Sequence, residues 1–374
     1  MVTSGCLWFE KVPNLLMEPY GSILPHTLLY SQEPFVIESP AMTTQTMRAL
    51  VLNDYASGQF SDTQVPRPAP GAGEVLVQIF ASGVNPIDYK IRTGAAPYAE
   101  PELPAILGTD LAGVVVEVGA DVTDFKVGDE VYGLTGGVRG MPGTLAEFAS
   151  VDARLLSPKP KNLSMREAAA LPLVFLTAWE GLVDRAHVHA GQRVLIQGGA
   201  GGVGHVAVQI ARALGADVYA TASAAKHAVI EGYGATPIDY RDAKVADYVA
   251  KYANGVGFDV VYDTVGGQTL DDSLVAAKPY GHVLSCYAFA EHNLAPGSLR
   301  CVTLSGIFVL LPMLSGEGRA HHGDILREAT RLAEQGKLKP LVDERRYTLS
   351  DAHAAHDALE AGKALGKIVI DVAF

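Results

Sequence analysis

The sequence predicts an α/β protein in two parts: a parallel sheet wound by helical crossovers, and a smaller β-barrel-like domain ahead of it. Three observations carry this reading. From Met47 to about residue 170, short β-patterned runs are punctuated by glycine and proline; from Leu171, apolar strands alternate with helical patterns of ten or more residues; and a glycine-rich turn stands between the first of those strands and the helix after it. With 374 residues, 48% hydrophobic and 19% charged, the chain holds enough apolar material for two such bodies and too much for disorder.

Residues 1–46 stand apart. They hold five prolines, four glutamates and one lysine, with no sustained period of 2 or 3.6, and match neither a secretory signal nor an Arg-rich transit peptide. They read as an extension, a loosely attached tail or a misassigned start. The regular pattern opens at Met47–Leu52, followed by strand-like runs at 75–79, 113–118 and 129–133. In the second part, strands are expected at 193–197, 217–221, 236–240, 258–263 and 282–286. Helices fall between them at 205–214, up to 233 and over 243–252. A long helix at 325–335 and a last apolar run at 367–372, which rejoins the first domain, complete the order.

Charge and cysteine content exclude several function classes. A net charge of −12 has the wrong sign for grasping phosphate backbones or anionic membrane surfaces, and no apolar run approaches the ~20 residues of a membrane span. Neither a nucleic acid nor a membrane is an expected partner. Cys6, Cys286 and Cys301 offer no C-x-x-C spacing and no disulfide framework, which favours a reducing, cytoplasmic compartment.

After the strand at 193–197, Gly199, Gly201 and Gly204 form G-x-G-x-x-G, with Gly202 and Val203 between the last two. In that context glycine permits the tight turn, lets backbone approach a pyrophosphate at the helix N-terminus, and allows close helix–strand packing. A P-loop is excluded because His205-Val206 stands where Lys and Ser/Thr are required. About 20 residues past the glycines, where an NAD enzyme places an acid for the ribose 2′-hydroxyl, the chain reads Thr221-Ala222-Ser223-Ala224-Ala225-Lys226. Ser223 and Lys226 would welcome a 2′-phosphate, so NADPH is the expected cofactor.

At this point the chain resembles the medium-chain dehydrogenase/reductase superfamily, and within it the zinc-independent quinone oxidoreductase-like branch, over nearly all of 47–374. The resemblance rests on Val84-Asn85-Pro86-Ile87-Asp88, Gly108–Gly113, Val127–Gly133, Ala168–Pro172 and the run from Gly198 to Gly204. It implies a Rossmann NADP-binding domain over 174–311, clasped by a GroES-like β-barrel substrate domain split between 47–173 and 312–374, in a homodimer. It also implies a phosphate-binding role for Lys226 and Tyr240, a nicotinamide-side position for Thr177 and Thr264, and the backbone of Ser285–Ala288 and Phe308–Leu310 around the nicotinamide. In zinc alcohol dehydrogenases of the superfamily, a cysteine stands at the position of Asn85, a histidine at that of Thr109, and another cysteine within the stretch matching 171–177. Asn, Thr and aliphatic side chains supply no such ligands, so no metal site is expected. One departure is Lys90, where some quinone reductases carry tyrosine, so substrate contacts do not carry over from them.

The expected reaction is hydride transfer from NADPH to a quinone or to the C=C of an α,β-unsaturated carbonyl compound, where the charge delocalises without a Lewis-acid metal. Related enoyl reductases use a tyrosine shortly after the Asn-Pro-x-Asp segment as acid, and Tyr98 is its nearest counterpart. Asn85 either hydrogen-bonds the substrate carbonyl or holds its loop. Alternatives are a non-catalytic dinucleotide-binding protein of the same fold and a zinc-type alcohol dehydrogenase. Tyr98, Phe308 and Leu311 are expected as apolar contributors to the cleft.

Overall fold

The computed structural model describes residues 45–373. The extension expected over 1–46 lies, save for its last two residues, outside the described residues. Beyond it the chain forms one antiparallel sheet, one mostly antiparallel sheet and one parallel sheet.

The antiparallel part opens with β1 (Thr46–Leu52), β2 (Phe60–Pro66) and β3 (Glu74–Gly83), then α1 (Pro86–Arg92). Next come β4 (Ala105–Ile106), β5 (Asp110–Val118), β6 (Glu130–Leu134), β7 (Phe148–Asp152) and β8 (Leu156–Pro158). Helices α2 (Met165–Ala169) and α3 (Pro172–Trp179) lead into the parallel part. That part contains β9 (Arg193–Gln197), α4 (Gly202–Ala213), β10 (Asp217–Ala222), β11 (Thr236–Asp239), β12 (Phe258–Asp263), β13 (Ala277–Ser285) and β14 (Thr303–Gly306). After the helix Arg319–Glu334, β15 (Tyr347–Thr348) and β16 (Val369–Asp371) return to the antiparallel layer.

The parallel sheet has the order β11-β10-β9-β12-β13-β14. Its central strands are apolar on both faces because helices cover both: Val194, Leu195 and Ile196 of β9 are fully buried, in register with Val218 on one side and Val260 on the other for Val194. This is the doubly wound sheet that the alternating pattern predicts. The order reverses beside β9, and α4 starts there, which is where open α/β sheets leave a crevice at the carboxyl ends of their strands.

The larger sheet, antiparallel except for the parallel pair β15-β16, has the order β15-β16-β3-β5-β6-β8, with β7 also paired to β3, and the smaller is β2-β1-β4. One core joins them to the parallel layer: Leu50 and Leu52 of β1 pack in the same buried cluster as Val77, Ile79 and Leu111, and as Val194, Val206 and Leu284. The last strand pairs antiparallel with β3, Ile370 opposite Ser82.

Several elements lie outside the sequence reading. β14 is a four-residue edge strand, Thr-Leu-Ser-Gly, exposed along most of its length, and so lacks the apolar signature used to find its neighbours. The segment Glu180–Arg185 continues α3 as a turn of π-helix.

Candidate active site

The cleft begins at the glycine turn. Gly198 adopts φ +74°, which only glycine takes without strain. A Cβ on Gly204 would stand 2.1 Å from the Gly198 carbonyl oxygen, and one on Gly199 2.5 Å from the Ala220 Cβ. Both positions therefore need glycine for close packing of α4 on β9 and β10. Their role is shape, and the groups that face the cleft are Gly198, Ala200, Gly201, Gly202 and Val203. The first-turn amides of α4 have no intrahelical partners, and its dipole favours negative charge at that end. Thr221 braces the turn: its Oγ1 accepts from the Gly198 N–H at 2.9 Å and donates to Gln197 Oε1 at 2.8 Å.

From this turn a cleft of about 760 Å³ runs over the ends of β10 and β11. Ser223, Lys226, Tyr240 and Thr264 all line it, together with Arg241 and Lys244, two cations that the sequence reading did not assign. Their signal was present in the run after Asp239, but lysine and arginine in a polar turn are common on any surface. Asp242 and Asp272 also line it. Asp239, in register with Ala222, is occupied: its carboxylate accepts from the Ala224 N–H at 2.9 Å and from the Arg241 N–H at 2.9 Å. These residues fit a dinucleotide, with backbone amides and a helix start for the pyrophosphate and a cation-bearing end for the ribose.

A second, mostly apolar pocket of about 370 Å³ joins the first at Val203, Thr264 and Val265. Tyr98, Thr177 and Phe308 line it, with Cys286, Phe289 and Leu310. Thr177 is held in place, its Oγ1 donating to the Leu173 carbonyl and its own carbonyl accepting from the buried Tyr262 hydroxyl at 2.6 Å. Tyr98 stacks on Phe289 (centroids 6.2 Å apart, planes 10° apart) and meets Phe308 edge-on. Burial raises its hydroxyl above the ordinary tyrosine value, with the nearby Tyr287 adding to the shift, so it stays protonated at neutral pH.

Among the described residues, Lys90 is the one charged side chain lining this pocket. Its Nζ donates to the Tyr287 hydroxyl at 3.0 Å and lies 4.2 Å from the centre of that ring. These partners are 197 residues apart in the chain. No local pattern connects them, which is why sequence reasoning missed the pair.

Side-chain contacts decide between the two roles expected of Asn85 and correct the place expected of Leu311. Asn85 does not face the pocket: it is fully buried, its amide donating to Thr109 Oγ1 at 3.0 Å and Asp110 Oδ2 at 2.8 Å while its oxygen accepts from Lys367 Nζ. Every polar atom of the side chain is engaged, which leaves it a loop-holding role. Within the expected Ser285–Ala288 stretch, Ser285 turns its hydroxyl onto Asp263 Oδ2 at 2.7 Å, and Cys286 and Tyr287 line the pocket. Leu311 does not line the pocket and is 60% exposed; Leu310 lines it.

Residues 71–161 match the model of the alcohol dehydrogenase GroES-like domain, and residues 233–370 that of a zinc-binding dehydrogenase. The chain is 34% identical over 364 residues to the 2-methylene-furan-3-one reductase of Solanum lycopersicum, a match covering 94% of this chain and 86% of that one. It is 33% identical over 344 residues to the NADPH-dependent alkenal/one oxidoreductase, chloroplastic, of Arabidopsis thaliana, covering 89% and 82%. Among solved structures, an alcohol dehydrogenase superfamily protein from Novosphingobium aromaticivorans superposes with a TM-score of 0.85 at 54% identity, over 88% of this chain and 100% of that one.

Proposed function

From a chain that belongs to the medium-chain dehydrogenase/reductase superfamily and is an oxidoreductase working with a nicotinamide dinucleotide, we propose a zinc-independent reductase. It uses NADPH to saturate the C=C of α,β-unsaturated carbonyl compounds or to reduce quinones. The observation that carries this reading is the junction of a dinucleotide-shaped cleft with an apolar pocket whose one charged group is an ammonium.

The residues at the far end of the cleft favour the phosphorylated cofactor. No carboxylate follows β10, Asp239 is committed to backbone amides, and Ser223, Lys226, Tyr240, Arg241 and Lys244 gather where a 2′-phosphate belongs. When bound, NADPH supplies the hydride that the β-carbon receives. The chain's own part is to receive charge and deliver a proton. Lys90, steadied by Tyr287, meets the carbonyl oxygen as it gains negative charge, its ammonium being the charged group on an otherwise largely apolar wall. Tyr98, protonated and facing the pocket, gives its proton to the α-carbon, and water restores it.

A zinc ion does not fit the donor set at Asn85 and Thr109. An amide and a hydroxyl are poor zinc ligands, both are engaged with each other, and an ammonium already stands against Asn85. Among the described residues no group of three or more His, Cys, Asp or Glu side chains is placed to hold a metal.

A homodimer belongs to the same reading. β14 leaves one edge of the parallel sheet unpaired among the described residues, with Leu299 and Leu304 exposed beside it. Leu304→Asp should turn a dimer into a monomer in sedimentation equilibrium; a native protein that sediments as a monomer removes the proposal.

The catalytic assignment is tested by following NADPH absorbance over an enone and quinone panel. Turnover of at least one class is expected, with kcat lowered about 100-fold or more in Tyr98→Phe and NADPH affinity kept. Unchanged turnover in that variant takes Tyr98 out of the mechanism.

A further inference from the structure

Beneath the pocket lies a cluster of buried charge that the reaction above does not use. Lys367, in the C-terminal segment just ahead of β16, is 3% exposed, and Asp88 and Asp110 are 1% and 0% exposed. The Lys367 ammonium donates to the Val84 carbonyl at 2.8 Å and to Asn85 Oδ1, and lies 3.6 Å from Asp110 Oδ2. Asp110, at the start of β5, reaches the other way: its Oδ1 accepts from the Leu173 N–H at 2.9 Å, in the first turn of α3. Asp88 Oδ2 accepts from the Asn85 N–H at 2.7 Å, closing the first turn of α1, while its Oδ1 is buried without a partner.

The cluster therefore joins the beginnings of two helices. Both supply pocket wall: Pro86, Ile87 and Lys90 come from α1, and Leu173 and Thr177 from α3. The lysine also reaches the cofactor side. A Cβ on Gly202 would be 3.7 Å from the Lys367 Cδ. The Lys367 N–H donates to the Leu341 carbonyl, and the Leu341 N–H donates to His205 Nε2 on α4.

We propose that Lys367 is a positioning residue: its buried ammonium holds the starts of α1 and α3 in fixed relation to the glycine turn, the structural service a metal ion would perform there. The proposal rests on the reductase reading for its catalytic consequence. A buried cation bridging several segments is suited to this, because removing it leaves carboxylate and carbonyl groups unpaired and each segment free to drift. A drift of about 1 Å between pocket wall and cofactor is enough to slow a transfer step by about 100-fold.

Lys367→Met alone would strand a buried carboxylate, so the informative variant is Lys367→Met with Asp110→Asn, which removes both charges. Asn85→Ala, which keeps the charges and deletes the amide between them, is the second. Three readouts are taken: NADPH affinity by nicotinamide fluorescence, the single-turnover rate of NADPH oxidation by an enone, and hydrogen exchange of the peptides over 86–92 and 172–179. The expected result is exchange raised about tenfold in those two peptides with the β9–β12 strands unchanged. The single-turnover rate should fall by about 30-fold or more, and NADPH affinity should stay within about threefold. Asn85→Ala should show the same split in smaller measure. Folded variants with native exchange in both peptides overturn the proposal, as does a loss confined to NADPH affinity. If the native enzyme reduces nothing in the panel, the reductase reading falls and the exchange measurement still decides the role of Lys367.

Discussion

Lys226 shows how far single residues can be read from sequence. Its distance from the glycines is local information, since one strand and one turn fix it, and the structure places it with Ser223 and Tyr240 on the same cleft. Lys90 is the opposite case, an unremarkable helical lysine until Tyr287 arrives from the other layer. Asn85 was half legible: the chain shows an asparagine before a helix, but only the fold shows that Asp110, Thr109 and Lys367 consume its hydrogen bonds. The phosphate assignment predicts that Lys226→Ala weakens NADPH binding by about tenfold, the loss of one charge-assisted hydrogen bond, with NADH binding little changed. Paired titrations of the two cofactors check this, and equal losses would contradict it.

Elements were legible where their signal was periodic and buried. The strand pattern gave β9 and β12 to the residue, because their apolar runs are covered on both faces. It missed β14, whose residues face solvent at a sheet edge. At the start of α1, burial raises Asp88 to about 7 from an ordinary 3.8, the neighbouring Asp110 adding to the effect. The fold thus favours the protonated carboxyl. The stability this contributes is complete below pH 4 and is lost as pH rises through 7. Asp88→Asn, which cannot ionise, should therefore gain on the native protein across that window, by at most about 4 kcal/mol. Calorimetric melting at pH 4 and pH 8 measures it, and a constant difference between the two proteins would show that Asp88 titrates alike in the folded and unfolded chain, so that burial does not raise it.

At the scale of the whole molecule, the glycine turn announces a dinucleotide, but the pocket that decides the substrate draws on residues from Pro86 to Leu310 and exists only once two layers meet. Composition argues against nucleic-acid and membrane partners, and spacing points to the cleft where a dinucleotide is expected. Neither could show an aromatic stack of Tyr98 on Phe289 with an ammonium nearby. On the proposed mechanism this junction directs hydride to the β-carbon rather than to the carbonyl carbon. NADPH deuterated at the transferring C4 position, offered with an enone to enzyme stripped of metal by a chelator, tests it in one product analysis. The expected product is a saturated ketone carrying deuterium on its β-carbon; an allylic alcohol carrying it on the former carbonyl carbon would rule the mechanism out.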